Sequence, residues 1–295
     1  MIGAYEVSNP VSERSSQVID RRQWLARAAN LAAGSLLVSR GSAQQKLLPL
    51  QSSGLDHLSL TVPDSLEAAR FYGRIFDPQV FHERTGVQRY YVRLGAAYIA
   101  FGPQANVAPY IDHIATGVTD FVEAEFGNAE TKAEITAAGL AAPPGALPML
   151  SDPDNLRLQL VNATHGLFDT IMPGGRVTAE PAALIPSGLD HIMLSVTDVD
   201  RSVMYYRKLF GAEESRARNP RRVWFRLTNT KLGLEAAPAG QKPSFSHFAV
   251  KIAGFQRALV MARVEKLGVR VEPGGEKGSL RCHDLHNLPV EVVAG

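Results

Sequence analysis

The second half of the sequence contains two histidine–glutamate pairs with the same spacing. His191 precedes Glu235 by 44 residues, and His247 precedes Glu291 by the same 44 residues. All four lie in apolar, strand-like segments, where a carboxylate is costly to bury unless a positive charge lies beside it. A divalent cation would neutralise both carboxylates, and imidazole with carboxylate suits Fe, Ni, Co, Mn or Zn. The sequence therefore predicts one divalent metal ion bound by these four residues.

The two pairs are part of an internal duplication. The segment "GLDHLSLTV" at 54–62 returns as "GLDHIMLSV" at 188–196, an offset of 134 residues. The segment "YIDHIATGV" at 110–118 aligns with "FSHFAVKI" at 245–252, and their histidines are again 134 residues apart. A fixed offset of this kind indicates a repeated structural unit. The chain is therefore predicted to consist of two related halves.

Each half divides again into two modules. A module begins with an alternating strand and continues with a helix, as in "DVDRSVMYYRKLFG", whose apolar residues have helical spacing. Asp64 with Glu67 predicts a capping box at the equivalent helix of the first half. Three further strands complete a βαβββ unit. The predicted modules cover roughly 54–105, 108–163, 188–239 and 244–295.

The charge of the chain is concentrated before the first module. Residues 1–43 contain five arginines and three acidic residues, a net charge of +2, which equals the formal net charge of the whole chain. The remainder is therefore formally neutral. A nucleic-acid partner would require a basic face on the folded part, so this class of partner is not expected.

Residues 1–43 are predicted to be a cleavable export signal. Arg21 and Arg22 precede a weakly apolar Ala/Leu stretch that is too short and too interrupted for a stable membrane span. The small residues at 41–43 suit a signal peptidase, which would leave Gln44 as the mature N-terminus. The arginine pair resembles a bacterial twin-arginine signal, which implies a periplasmic location.

The duplicated motifs resemble those of the vicinal oxygen chelate superfamily, which includes glyoxalase I, fosfomycin-resistance proteins, epimerases and extradiol dioxygenases. The shared features are "DH" on the first strand of a module and a closing motif of the type "DPDGN", here "DPDNLRLQ" at 152–159 and "DLHNLPVE" at 284–291. The resemblance implies an α+β fold in which four βαβββ modules pair into two half-barrel domains. The implied organisation is a mature N-terminal segment (44–53), a first domain (54–163), a linker (164–187) and a second domain (188–295).

The resemblance also implies which residues bind metal. His191, Glu235, His247 and Glu291 match the four-ligand set of the glyoxalase type. The equivalent positions of the first half are His57, Phe101, His113 and Gln159. Because that half offers no carboxylate, it is predicted to hold a degenerate site.

Three functions remain open. The first is a glyoxalase-like lyase or isomerase whose small substrate chelates the metal through two adjacent oxygens, with Glu235 or Glu291 as general base. The second is an extradiol-type Fe(II) ring-cleaving dioxygenase using His191, His247 and Glu291. Glu235 as a fourth ligand, and the lack of a tyrosine just before Asp284, count against it. The third is a metal-free binding or resistance protein, which the buried carboxylates disfavour. The expected partner is a small molecule, and the chain is expected to be a monomer or homodimer without a stable membrane span.

Overall fold

Two mixed sheets of eight strands each form the body of the protein in a computed structural model. It describes residues 46–295 except 85, 87, 146, 165–170, 219–220 and 276–277. The predicted export signal, residues 1–43, lies outside the described residues. In the part of the chain that is described, every helix is too short or too polar to cross a membrane.

The first sheet is built from residues 52–176 and has the strand order β6-β7-β5-β1-β4-β3-β2-β8. Its strands are β1 (Ser52–Val62), β2 (Gln79–His82), β3 (Tyr90–Leu94), β4 (Ala97–Pro103), β5 (Tyr110–Val118), β6 (Met149–Ser151), β7 (Arg157–Asn162) and β8 (Met172–Arg176). Helices α1 (Ser65–Ile75) and α2 (Ala129–Ala137) and a short 3₁₀ helix (Glu123–Glu125) connect them.

The second sheet has the strand order β10-β11-β12-β9-β13-β16-β15-β14. Its strands are β9 (Pro186–Val196), β10 (Ser215–Arg218), β11 (Arg221–Leu227), β12 (Thr230–Ala236), β13 (Ser244–Ile252), β14 (Val271–Pro273), β15 (Leu280–His283) and β16 (Pro289–Ala294). Helices α3 (Val199–Phe210) and α4 (Arg257–Glu265) follow β9 and β13.

The predicted fold class is confirmed, with two local differences. Three modules have the expected βαβββ order, but the second has only β6 and β7 after its helix, and its remaining pairing is an isolated bridge between Ala141 and Ser151. The segment predicted as a linker also contributes a strand, because β8 pairs antiparallel with β2 at the edge of the first sheet. An added edge strand covers backbone groups that β2 would otherwise leave unpaired.

The predicted helix start at Asp64 is confirmed, and the equivalent helix of the second half has the same kind of N-cap. Asp64 accepts hydrogen bonds from the backbone N–H groups of Leu66 and Glu67, and Asp198 makes the same contacts with Asp200 and Arg201. The apolar residues of α3 at helical spacing are buried: Val199, Val203, Tyr206 and Leu209. Capping satisfies two of the N–H groups that a helix start leaves without intrahelical partners.

Side chains alternate along the strands, so each sheet has one face packed against the core and one opposite face. Ile192 and Phe248 belong to the main hydrophobic core, which contains residues of both halves. Because successive side chains point to opposite faces, His191 and His247 lie on the other side. We call the side that carries the histidines the site face of each sheet.

Two buried hydrogen bonds connect the halves reciprocally. Tyr72 of α1 donates its hydroxyl to Asp284 Oδ2 at 2.9 Å, and Tyr206 of α3 donates to Asp152 Oδ2 at 3.2 Å. Each aspartate opens a closing motif, and its Oδ1 accepts two backbone N–H groups of the following turn; for Asp284 these belong to His286 and Leu288. Each closing aspartate thus stabilises its own turn through Oδ1 and binds the helix of the opposite half through Oδ2.

We expect Tyr72→Phe and Tyr206→Phe each to lower the free energy of unfolding by about 1–3 kcal/mol, because each leaves a buried carboxylate oxygen without its donor. Urea unfolding of the metal-free protein measures this as a lower midpoint with an unchanged slope. Tyr90→Phe is the control, since its hydroxyl bonds to Gln88 at an exposed position. Equal midpoints for Tyr72→Phe and Tyr90→Phe would show that the buried bond does not stabilise the fold.

Candidate metal centre

Three buried side chains from three neighbouring strands converge on the site face of the second sheet. His191 is on β9, His247 on β13 and Glu291 on β16, and their ligand atoms all lie within 4.8 Å of one another. The two Nε2 atoms are 3.3 Å apart, and Glu291 Oε1 is 3.9 Å from His247 Nε2. Two nitrogens bound to one cation at about 2.0–2.1 Å are themselves about 3 Å apart, so the histidine geometry fits a shared ion.

Both histidine rings direct Nε2 toward this point. Asp190 Oδ2 lies 2.8 Å from His191 Nδ1, so this carboxylate can accept the Nδ1 proton and leave Nε2 for a metal ion. His247 Nδ1 lies 3.1 Å from Ser246 Oγ, whose own proton is directed to a carboxylate oxygen of Glu235 at 3.2 Å. With both Nδ1 atoms occupied in this way, the two Nε2 atoms, 3.3 Å apart, are placed to bind one cation together. The residues present therefore fit a divalent metal ion.

The protonation states also suit metal binding, which requires neutral imidazole and ionised carboxylate. Burial lowers the pKa of His247 to about 3. Burial would raise the pKa of Glu291, but the N–H of Gly275, the neighbouring His247 and Arg281 lower it below its usual value. The contacts of Glu291 are close, with 2.7 Å from its Oε1 to both Gly275 N and Arg281 Nη2.

Glu235, predicted as the fourth ligand, is placed outside this group. In the pair of β13 and β16, Glu291 lies opposite Ala249, two residues beyond His247. At the same place in the pair of β9 and β12, Met193 lies two residues beyond His191, and its partner is Gly233. The space above Gly233 is filled, since a Cβ there would lie 2.6 Å from Met193 and 2.7 Å from Trp224. Equal spacing in sequence therefore does not give equal positions in the sheet. The connection before the strand of Glu235 runs from Leu227 to Thr230, whereas the connection before the strand of Glu291 is longer, from His283 to Pro289.

Two arginines lie beside the metal-binding residues. Arg222 Nε donates to Glu235 Oε2 at 2.9 Å, as Arg281 donates to Glu291. Arg281 Nη2 and Arg222 Nη1 lie 3.3 and 3.7 Å from the point where a Cβ on Gly275 would stand. The two guanidinium groups thus approach one region at the rim of the site. Neither Arg222 nor Arg281 is predicted from the sequence to be functional. The only sequence feature that marks them is their place on the strands that pair with those of Glu235 and Glu291.

The first half keeps the histidine pair but not the carboxylate. The ring centroids of His57 and His113 are 5.6 Å apart at 80°, close to the 5.4 Å and 86° of the second pair. Gln159 lies opposite Ala115, the position that corresponds to Glu291. Phe101, aligned with Glu235 by sequence, faces the main core instead, since Tyr98 and not Phe101 shares the face of His57.

Aromatic side chains occupy the site face of the first sheet. Tyr98 stacks on His57 with centroids 4.5 Å apart. A separate apolar cluster surrounds it, consisting of Phe81, Tyr91, Tyr98, Ala100 and Ile171. The face around His57 is therefore aromatic and apolar.

A cavity of about 800 Å³ is lined by residues of both halves, and His191, His247 and Glu291 are not among its lining residues. Glu235, Ser246 and Phe245 line it from the second half, and Tyr110 and Arg157 from the first. Its size is in the range of small-molecule sites.

Sequence comparison finds a family model and a curated protein that are similar to part of the chain. Residues 188–277 match the model of the Glyoxalase/Bleomycin resistance protein/Dioxygenase superfamily. The chain has the fold of that superfamily. The fosfomycin resistance protein FosX of Listeria monocytogenes is 29% identical over 120 residues, which is 37% of this chain and 90% of the relative.

Solved structures with the glyoxalase-type fold match nearly the whole described chain. The 2,3-dioxygenase LapB from Pseudomonas sp. KL28 has a TM-score of 0.61 at 15% identity, covering 84% of this chain and 93% of its own. The Mn(II)-bound glyoxalase from Novosphingobium aromaticivorans has a TM-score of 0.56 at 12% identity, covering 84% and 83%. At these identities the likeness concerns the fold.

We expect the purified protein to bind about one divalent ion per chain, and His247→Ala to remove it, because two donors cannot hold the ion that three hold. Elemental analysis after reconstitution measures the stoichiometry. His113→Ala is the matched control, since it removes the corresponding histidine of the first half. Loss of metal in His113→Ala with retention in His247→Ala would assign the ion to the other site.

Proposed function

We propose that the protein is a divalent-metal-dependent enzyme acting on a small, negatively charged substrate that binds through two adjacent oxygens. The observation that carries this is the convergence of two histidine Nε2 atoms and one carboxylate in a buried site. His191, His247 and Glu291 would hold the ion. The bound ion supplies Lewis-acid chemistry and, as Fe(II), the chemistry of O₂.

The residues around the site would bind and orient such a substrate. Arg222 pairs with Glu235 and Arg281 pairs with Glu291, so a divalent ion would add positive charge beside two pairs that already compensate each other. A negatively charged substrate would offset the charge of the ion. The planar guanidinium groups suit recognition of its oxygens by paired hydrogen bonds.

The placement of the glutamates favours ring-cleaving dioxygenation over lyase or isomerase chemistry. A lyase would need Glu235 or Glu291 as a general base close to the reacting carbon. Glu235 is engaged by Arg222 and Ser246, and the lowered pKa of Glu291 makes it a weak base. A site with three ligands also leaves positions for a substrate and O₂, which the four-ligand set does not.

A second candidate has its own support in the relation to FosX. FosX is a fosfomycin resistance protein. A phosphonate substrate would bring its charged oxygens to Arg222 and Arg281, which makes modification of an organophosphonate the alternative reaction.

Three assays on the reconstituted enzyme separate the reactions. With Fe(II) and a catechol, we expect O₂ uptake and a coloured ring-cleavage product, both absent in His247→Ala and kept in His113→Ala. Fosfomycin consumption in place of O₂ uptake would favour the second candidate. Conversion of a glutathione hemithioacetal would instead restore the lyase or isomerase interpretation, and an inactive protein that takes up no metal would refute the enzyme proposal.

We also propose that residues 1–43 direct export to the periplasm, from the arginine pair and the apolar stretch that follows it. In a bacterial host with twin-arginine export, the mature protein is expected to begin at Gln44. Mass spectrometry of periplasmic protein measures this. The variant Arg21→Lys/Arg22→Lys should accumulate uncleaved in the cytoplasm; equal export of this variant would contradict the proposal.

A further inference from the structure

The residue before each histidine is the extra residue of a β-bulge. Asp56, Asp112, Asp190 and Ser246 are the residues skipped where the strand pairing shifts register. A bulge turns the side chain of the extra residue out of the regular alternation. In this position the side chain comes to lie beside the ring of the histidine that follows.

In three of the modules this residue is an aspartate that fixes the histidine directly. The carboxylate oxygens lie 2.6 Å from His57 Nδ1, 2.7 Å from His113 Nδ1 and 2.8 Å from His191 Nδ1. Such a partner selects the tautomer and holds the ring so that Nε2 points at the metal. The fourth module has Ser246 in place of the aspartate, and a hydroxyl alone carries no charge.

Glu235 supplies the missing carboxylate from β12, which is separated from β13 by β9. Ser246 Oγ lies 3.1 Å from His247 Nδ1 and 3.2 Å from Glu235 Oε1. The hydroxyl can therefore accept the Nδ1 proton and donate its own to Glu235. Its other acceptor, the carbonyl of Met193, is further away at 3.4 Å and uncharged.

The position of Glu235 is itself fixed. It lies directly opposite Arg222 in the antiparallel pair of β11 and β12, and Arg222 Nε donates to its second oxygen at 2.9 Å. This leaves Oε1 facing Ser246. A carboxylate held at both oxygens in this way has little freedom to reach the metal as a ligand.

We propose that Glu235 is a positioning residue, which orients His247 for metal binding through the hydroxyl of Ser246. The inference rests on the proposed metal site and assigns Glu235 a different role from that of a fourth ligand or a base. Glu235, Ser246 and His247 replace the aspartate–histidine pair of the other three modules. Glu235 and Ser246 also line the cavity, so the relay lies at its edge.

Metal affinity of the metal-free protein tests the relay. Zn(II) is titrated against a chromophoric chelator, and the Co(II) absorption spectrum reports the geometry of the bound ion. We expect Glu235→Gln and Ser246→Ala each to weaken Zn(II) binding by about 10- to 100-fold, the usual effect of removing a group that orients a metal-binding histidine. The double variant should show no further loss, because the two residues act in series.

The decisive variant restores the arrangement of the other modules. Ser246→Asp in the Glu235→Gln background places a carboxylate next to His247 Nδ1, and we expect it to recover Zn(II) affinity to within a few-fold of the wild type. Glu214→Gln is the matched control, since Glu214 pairs with Arg226 on the same sheet without contacting the histidines. It should leave the affinity unchanged.

The outcomes separate the relay from the proposed function. Wild-type protein that fails to bind Zn(II) or Co(II) would refute the metal site itself. Wild-type binding with unchanged affinity in Glu235→Gln or Ser246→Ala, or no recovery in the Ser246→Asp double variant, would overturn the relay alone. If the melting temperature shows that Glu235→Gln does not fold, the Zn(II) affinities of Ser246→Ala and Ser246→Asp are compared instead. Both of these variants keep the pair of Arg222 and Glu235.

Discussion

Each histidine of the candidate metal centre lies on a bulged strand whose side chains alternate between two faces of the sheet. Side chains of β9 and β13 alternate between the apolar core and the site face, so Ile192 and Phe248 enter the core while His191 and His247 face away from it. The bulge before each histidine adds one residue beside the ring. Core packing thereby fixes both the direction of the histidine and the place of its orienting partner.

Charge balance is the second constraint on the site. Two carboxylates and two guanidinium groups neutralise one another across adjacent strands, through Arg222 with Glu235 and Arg281 with Glu291. A buried carboxylate such as Glu291, which is fully enclosed, requires such compensation. Adding a divalent ion to this balanced set creates a positively charged site, and this links the metal to the class of substrate that we propose.

The two halves share a backbone design but differ in what fills the site face. The histidine pairs have nearly the same geometry, while the position of Glu291 is taken by Gln159 in the first half. Tyr98 and its apolar neighbours occupy the first site face. The first half still contributes to the second, because Tyr110 and Arg157 line the cavity, and because the tyrosine–aspartate bonds join the halves.

The sequence by itself determined the duplication, the module order, the helix starts and the histidines, because these depend on local periodicity and on a repeated offset. It did not determine the partners of the histidines. Glu235 and Glu291 have equal spacing from His191 and His247. The strand register nevertheless places Gly233 at the position that corresponds to Glu291, and Glu235 accepts a hydrogen bond from Ser246. Register, bulges and the approach of Arg222 and Arg281 arise from pairing between distant strands, and only the tertiary structure decides them.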